Sequence, residues 1–105
     1  MRLRNVKGAK EKIEQSKYII LDYTKYSGNF KSLFNNNNPI HIEIGTGKGK
    51  FIRELALKNP DINYIGIEKF DSVLVRALER VENEIIPNLR FLRLDATDIN
   101  KVFDH

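Results

Sequence analysis

Three carboxylates end or follow three short apolar stretches of the chain. Glu43 lies near the end of IHIEI, Glu68 ends NYIGIE, and Asp95 comes directly after LRFLRL. Alone, each acid is accounted for as a loop residue or a helix cap. If the stretches are parallel strands, however, their carboxyl ends meet at one sheet edge, where such folds bind nucleotides. Together with the glycine turn after the first stretch, the three acids predict a site for an adenosine-type cofactor, with Glu68 on the ribose hydroxyls and Asp95 on the adenine amine.

A glycine turn follows the first apolar stretch, with glycines at the alternate positions Gly45, Gly47 and Gly49. Glycines allow a sharp turn and a close approach of the backbone to a ligand, and the next helix start offers free N–H groups. A P-loop is excluded because Phe51, which has no hydroxyl, follows Lys50. The dinucleotide fingerprint is disfavoured because it requires a third glycine where Lys50 stands.

The elements that position these residues alternate between strand and helix. We expect a buried strand over Ile40–Ile44, a second strand over Asn63–Glu68 and a third over residues 89–94, with a helix in each interval. Short connections between such elements predict a right-handed, parallel, Rossmann-like α/β sheet with strand order 3-2-1. We expect the helix between the first and second strands to bury Phe51. We expect Asp71 or Ser72 to cap the helix between the second and third strands.

The residues before the first strand are of two kinds. Residues 1–17 are polar and basic, and we expect a solvated N-terminal arm there, with a short helix near Ala9–Gln15. A phosphate-contacting arm is the alternative. Residues 18–26 are apolar and aromatic, and we expect them to pack against the sheet. The domain is therefore predicted to cover residues 18–105.

Composition excludes several classes of protein. The 105 residues are 41% hydrophobic and 30% charged, with a net charge of +4 and no cysteine. We expect no disulfides, no metal site, no secretory signal and no membrane span, which favours the cytoplasm. The mild positive charge permits a nucleic-acid partner without demonstrating one.

Glu-x-Gly-x-Gly-x-Gly resembles the cofactor loop of S-adenosylmethionine-dependent methyltransferases, in which the acid suits the positively charged end of the cofactor. IHIEIGTGKGKF, NYIGIE and LRFLRLDAT together resemble the amino-terminal half of the bacterial tRNA (guanine-N7)-methyltransferases, over essentially the whole chain. The resemblance implies a class I methyltransferase fold, S-adenosylmethionine as cofactor and tRNA as partner. The cofactor-binding residues that it implies are Glu43, Gly45, Thr46, Gly47, Gly49, Glu68, Lys69, Asp95 and Ala96.

The same resemblance concerns both ends of the chain. Arg2, Arg4 and Lys7 are similar to the family's basic leader, which implies contacts with tRNA. The family's fourth strand, with an Asp-Pro-Trp-Pro-Lys-Lys-Arg-His motif, has no counterpart here, so we predict no catalytic residue within this chain. We expect a truncated product of a longer enzyme that has little turnover alone and that self-associates through the exposed edge of the first strand.

Two other interpretations stay open. The first is a methyltransferase for another RNA or a small molecule, because the cofactor motifs would look alike. The second is a non-catalytic module that binds an adenosine nucleotide. His41 lies on the same strand face as Glu43, and we expect it to be a hydrogen-bonded structural residue rather than an acid–base catalyst.

Overall fold

The computed structural model describes residues 8–26, 29–46 and 49–98, without the side chains of residues 24 and 96. The helices and strands in chain order are α1 (Ala9–Gln15), α2 (Lys31–Phe34), β1 (Ile40–Ile44), α3 (Lys50–Lys58), β2 (Asn63–Glu68), α4 (Asp71–Val81) and β3 (Leu89–Arg93). Short 3₁₀ turns lie at Tyr23–Tyr26 and Ala96–Asp98. In this part of the chain, no helix is both long and apolar enough to cross a membrane.

The three strands form a parallel sheet with β2 between β1 and β3. This is the predicted α/β sheet with order 3-2-1, which is therefore confirmed. The register places Glu43 of β1 beside Gly66 of β2, and Gly66 beside Phe91 of β3. The segment before the sheet also contacts it, because Ile19 forms a parallel bridge with Phe91 on the outer side of β3.

The two strands nearest the glycine turn differ in burial. β2 is buried along its whole length, whereas Ile44 at the end of β1 is 54% exposed. The prediction of a buried strand over Ile40–Ile44 is therefore wrong. Among the described residues β1 pairs only with β2, so it is an edge strand. Burial of an isoleucine there depends on a neighbour that the alternating pattern does not reveal.

Each face of the sheet is covered by a different part of the chain. Helices α1, α3 and α4 cover one face, and the segment that contains α2 covers the other. The core of the helical side includes Ile13, Ile52, Ala56, Leu74, Leu78, Leu89 and Phe91. The core of the opposite side comprises Ile20, Phe30, Phe34, Ile65, Ile67, Leu92 and Leu94.

Helix α1 lies within the segment predicted to be a solvated arm. The helix itself is confirmed, but Ala9 and Ile13 are buried in the core that α4 also lines. Since residues four apart share a helix face, these two form a small apolar contact surface. Lys12 Nζ adds an ion pair with Glu79 Oε2 at 3.1 Å. The expectation of a solvated arm is thus wrong for residues 9–15, and the division at residue 17 stays a prediction.

Two details of the helices also differ from expectation. Phe51 of α3 is 63% exposed, because the stripe of α3 that faces the core is narrower than predicted. Helix α4 has Phe70 as its N-cap, in an extended conformation, rather than Asp71 or Ser72. The Asp71 carboxylate instead accepts hydrogen bonds from Arg93 of β3.

Polar contacts fix α3, the helix that follows the glycine turn. Arg53 donates from Nε and Nη2 to the two carboxylate oxygens of Glu84, at 2.6 and 2.8 Å. This bidentate pair lowers the pKa of Glu84 through the hydrogen bond from Arg53. At the other end, Asn88 Nδ2 donates to the Ala56 and Asn59 carbonyls at 2.9 and 3.1 Å. Both ends of α3 are therefore tied to the chain around β3.

Candidate functional site

The turn between β1 and α3 begins and ends on a glycine with positive φ. Gly45 has a φ of 69°, and its N–H donates to the Ile67 carbonyl at 2.8 Å. Gly49 has a φ of 78°, and its N–H donates to the Thr46 carbonyl at 3.0 Å. Other residues adopt this left-handed region at a cost, whereas glycine does not. The predicted turn is confirmed at these two positions, and Gly47 lies outside the described residues.

Two glycines allow the turn to lie directly on the core. A β-carbon at Gly49 would be 2.9 Å from Ala77 Cβ on α4. A β-carbon at Gly66, in β2, would be only 2.6 Å from Thr46 Cγ2. Our sequence reasoning did not single out Gly66. The available signal was its position inside an apolar strand, where glycine often marks a close backbone approach.

Glu43 is the acid of β1 and precedes the turn. Its side chain is 32% exposed, and its Oε1 lies 3.5 Å from His41 Nε2. The His41 ring also packs against the Tyr64 ring, with 5.3 Å between the centroids. The His41 side chain is itself 49% exposed, and both it and the Glu43 carboxylate are accessible at the surface.

Glu68 ends β2 and is 9% exposed. Its Oε2 accepts hydrogen bonds from the backbone N–H groups of Lys69 and Phe70, at 3.1 and 3.2 Å. These bonds hold the carboxylate at the sheet edge. Its Oε1 accepts no hydrogen bond from any described residue, so that oxygen retains its capacity for donors on a ligand. A pair of ribose hydroxyls would supply such donors.

Asp95 follows β3 and is held by its own turn. Its Oδ1 accepts hydrogen bonds from the N–H and the hydroxyl of Thr97, at 3.0 and 3.1 Å. The Thr97 bonds lower the pKa of Asp95, so the carboxylate is ionised at neutral pH. Lys69 Nζ lies 3.7 Å from Asp95 Oδ2 and 5.0 Å from the centre of the Phe70 ring. Lys69 thereby connects the carboxyl ends of β2 and β3.

Thr46 carries an unpaired polar atom within the turn. Its Oγ1 is buried and has no hydrogen-bond partner among the described residues. Such a group costs about 1–3 kcal/mol, and buried polar atoms in native proteins are rarely left unpaired. The Thr46 hydroxyl therefore keeps unused hydrogen-bonding capacity at the point where the turn meets β2.

Seven of the predicted site residues meet at the carboxyl edge of the sheet: Glu43, Gly45, Thr46, Gly49, Glu68, Lys69 and Asp95. Ala96 begins the following 3₁₀ turn. Arg2, Arg4, Lys7 and Gly47 lie outside the described residues. The cofactor-binding role of the whole set stays a prediction.

A cavity of about 410 Å³ lies elsewhere, and no predicted site residue lines it. It is a groove between α1 and α4, lined by Lys12, Gln15, Ser16, Lys17, Tyr18, Val75, Leu78, Glu79 and Glu82. In the part of the chain that the structure describes, no group of three or more acids and histidines is placed to hold a metal ion.

Comparison with known proteins adds independent findings. A family model described as a putative methyltransferase matches residues 37–105. A protein of Lachnoclostridium phytofermentans named tRNA (guanine-N(7)-)-methyltransferase is 54% identical over 103 residues, which are 98% of this chain and 48% of that protein. A protein of Geobacillus sp. (strain WCH70) with the same name is 55% identical over 105 residues, covering 98% of this chain and 47% of that protein. The chain thus spans about half the length of the curated relatives it matches.

A solved structure described as an antibiotic related methyltransferase is similar in fold. It superposes with a TM-score of 0.60 at 22% identity, covering 88% of this chain and 42% of that chain. At that identity the similarity concerns the fold alone, and it agrees with the three-stranded parallel sheet.

Proposed function

The chain belongs to the putative methyltransferase family, and we propose that it forms the cofactor half of an enzyme that methylates N7 of a guanine in tRNA, with S-adenosylmethionine as methyl donor. The names of the relatives from Lachnoclostridium and Geobacillus support this substrate. The structure supports the cofactor, because Gly45, Gly49 and the three acids all lie towards the carboxyl ends of the parallel strands.

One observation carries the proposal: the Glu68 carboxylate is nearly buried, fixed by two backbone N–H groups, and still has one oxygen without a partner among the described residues. A carboxylate that is held in place by backbone N–H groups and keeps free acceptor capacity is suited to bind hydroxyl donors of a ligand. Its position at the end of β2 is the one where an acid binds the ribose in related nucleotide-binding folds.

The other residues take roles that suit their charge. Glu43 accepts hydrogen bonds from the amino group at the positively charged end of the cofactor. Asp95 accepts a hydrogen bond from the exocyclic amine of adenine. Thr46 donates its buried hydroxyl or accepts a hydrogen bond, and the backbone at Lys69 and Ala96 lines the adenine side. When bound, S-adenosylmethionine supplies an electrophilic methyl group on its sulfonium.

The acceptor chemistry requires little of the protein. Guanine N7 has a free lone pair, so methylation there needs no base to remove a proton. Catalysis then depends on proximity, orientation and electrostatics. We assign no residue of this chain to the target guanine. We propose Arg2, Arg4 and Lys7 as phosphate contacts for the tRNA, and the cytoplasm as the site of action.

Calorimetric titration with S-adenosylhomocysteine tests the cofactor assignment. We expect saturable binding that Glu68→Ala weakens at least tenfold, which is about 1.4 kcal/mol. Glu54→Ala is the matched control, because Glu54 is an exposed acid on α3 and should leave the affinity unchanged. Equal affinities for the Glu68 and Glu54 variants would refute the assignment of Glu68 to the ribose.

A chimera tests the substrate. We would join this chain to the carboxyl half of the 54%-identical relative and measure methylation of a tRNA pool by mass spectrometry of nucleosides. Formation of 7-methylguanosine, lost in the Glu68→Ala chimera, is the expected result. Cofactor binding without methylation of tRNA would favour a different methyl acceptor. Binding of ATP in preference to S-adenosylhomocysteine would favour a non-catalytic nucleotide-binding module.

We also propose that the open edge of β1 pairs with a second copy of the chain. The Gly45 N–H and the Pro39 carbonyl both bond to β2. Because the backbone groups of alternate residues in a strand point in opposite directions, those of Ile40, Ile42 and Ile44 face away from β2. Such an edge is a template for another strand.

The sequence of β1 is self-complementary about its central residue. In an antiparallel pair centred on Ile42, Ile40 of one copy lies opposite Ile44 of the other, which would cover the exposed Ile44. His41 of one copy then lies opposite Glu43 of the other, on the second face. Apolar and oppositely charged cross-strand pairs are both favourable.

A further inference from the structure

Gly66 stands at the centre of the most buried strand of the sheet. Every residue of β2 is buried, and its neighbours Ile65 and Ile67 are 0% and 1% exposed. Glycine inside a strand costs stability, because it contributes no side chain and loses more backbone entropy than other residues. Some other requirement must therefore exclude a side chain at this position.

The contacts around Gly66 identify that requirement. A β-carbon there would lie 2.6 Å from Thr46 Cγ2, and 3.0 Å from Cδ1 and Cε1 of the Phe91 ring. Non-bonded carbons in proteins approach to about 3.5–4.0 Å at their optimum. The methyl of Thr46 therefore occupies the space that a side chain at Gly66 would fill, with the Phe91 ring beside it.

We propose that Gly66 is a positioning residue for the glycine turn: without a side chain at this position, Thr46 lies directly on β2. The contact sets the height of Thr46 above β2. It thereby sets the distance between the start of α3 and the acids Glu43 and Glu68. Any side chain at position 66 moves Thr46 away from β2. This movement weakens the hydrogen bond that the Gly49 N–H donates to the Thr46 carbonyl. The consequence for cofactor affinity rests on the proposed function, whereas the consequence for the turn does not.

The test is a double-mutant cycle with Gly66→Ala and Thr46→Ser. Serine keeps the hydroxyl of Thr46 and removes the methyl that the new β-carbon would meet at 2.6 Å. Two quantities are measured for all four proteins. One is the hydrogen-exchange rate of the Gly49 amide, which donates to the Thr46 carbonyl at 3.0 Å. The other is the affinity for S-adenosylhomocysteine.

We expect Gly66→Ala to speed exchange of the Gly49 amide and to weaken cofactor affinity, each at least tenfold. In the Thr46→Ser background, adding Gly66→Ala should change the exchange rate and the affinity by less than threefold each. The residual effect comes from the contacts with the Phe91 ring, which stay at 3.0 Å. If Gly66→Ala alone does not fold, the double variant is expected to fold.

Two results would overturn the proposal. An effect of Gly66→Ala that is the same in the parent chain and in the Thr46→Ser variant would show that Phe91 alone requires the glycine. Unchanged exchange at the Gly49 amide in a folded Gly66→Ala variant would show that the turn does not depend on this contact. Failure of the unmodified chain to bind S-adenosylhomocysteine would count against the proposed function only, because the exchange measurement would still decide the role of Gly66.

Discussion

Replacing Thr46 by valine separates two consequences of its buried hydroxyl. Thr46 Oγ1 is buried and unpaired among the described residues, and Thr46 Cγ2 packs on Gly66. Valine has nearly the shape of threonine, so this packing is retained and only the polar atom is lost. We therefore expect Thr46→Val to raise the stability of the ligand-free chain and to weaken its binding of S-adenosylhomocysteine.

The magnitudes follow from the cost of an unpaired group. Burying a polar group without a partner costs about 1–3 kcal/mol. The lower end of this range corresponds to a rise in melting temperature of about 4–8 °C for a small domain. A single hydrogen bond to a ligand contributes about 0.5–1.5 kcal/mol, so affinity should fall roughly two- to twelvefold. The two effects have opposite signs, which a general disturbance of the fold would not produce.

Urea unfolding followed by circular dichroism measures the stability, and calorimetry measures the affinity. Thr46→Ser is the control, because it keeps the hydroxyl and loses the methyl that packs on β2; it should lower stability. A valine variant that is less stable than the parent by about 1 kcal/mol or more would show that the hydroxyl has a partner in solution. An unchanged affinity would show that the hydroxyl does not contact the ligand.

Three further predictions concern the turn, the third acid and the sheet edge. Gly49→Ala should destabilise the chain more than Gly45→Ala, by about 1–3 kcal/mol in urea unfolding. The reason is that, of these two glycines, only Gly49 has α4 within 2.9 Å of a new β-carbon. Equal losses of stability would refute the contact. Because the pKa of Asp95 is lowered from 3.8, its carboxylate stabilises the fold above that pH and the stabilisation disappears as pH falls through the lowered pKa. Asp95→Asn should therefore be less stable than the parent at pH 7, and the difference should shrink as the pH falls below 3.8, whereas a pH-independent difference would exclude this origin. Ile44→Lys should abolish the dimer that light scattering is expected to detect. Ile85→Lys, which also replaces an exposed isoleucine, should leave the dimer intact. A monomeric parent chain would refute the edge pairing.

Local patterns were sufficient to predict the elements. The alternating isoleucines predicted β1, the apolar run predicted β2, and the helical spacing of apolar residues predicted α3 and α4. The parallel order of the strands followed from short connections and right-handed crossovers. The three acids then fell at one edge by topology alone, before any side chain was placed.

The errors share one physical cause, which is dependence on distant neighbours. Whether Ile44 is buried depends on what lies beyond β1, and whether Phe51 is buried depends on what covers the outer side of α3. Likewise, Ile13 is buried only because α4 lies beneath α1. The periodicity of a segment defines a face but does not say whether another element reaches it.

The position of the turn illustrates the same dependence at the site itself. The Phe91 ring lies within 3.5 Å of a β-carbon built at Gly49 and within 3.0 Å of one built at Gly66. One core side chain of β3 therefore lies close to both glycines that let the turn settle on the sheet. Since cores are packed to crystal-like density, a change in the volume of Phe91 would reach the carboxyl edge of the sheet through these two contacts. The geometry of the candidate site thus depends on Phe91 and Gly66. Neither residue belongs to the glycine motif from which the site was predicted.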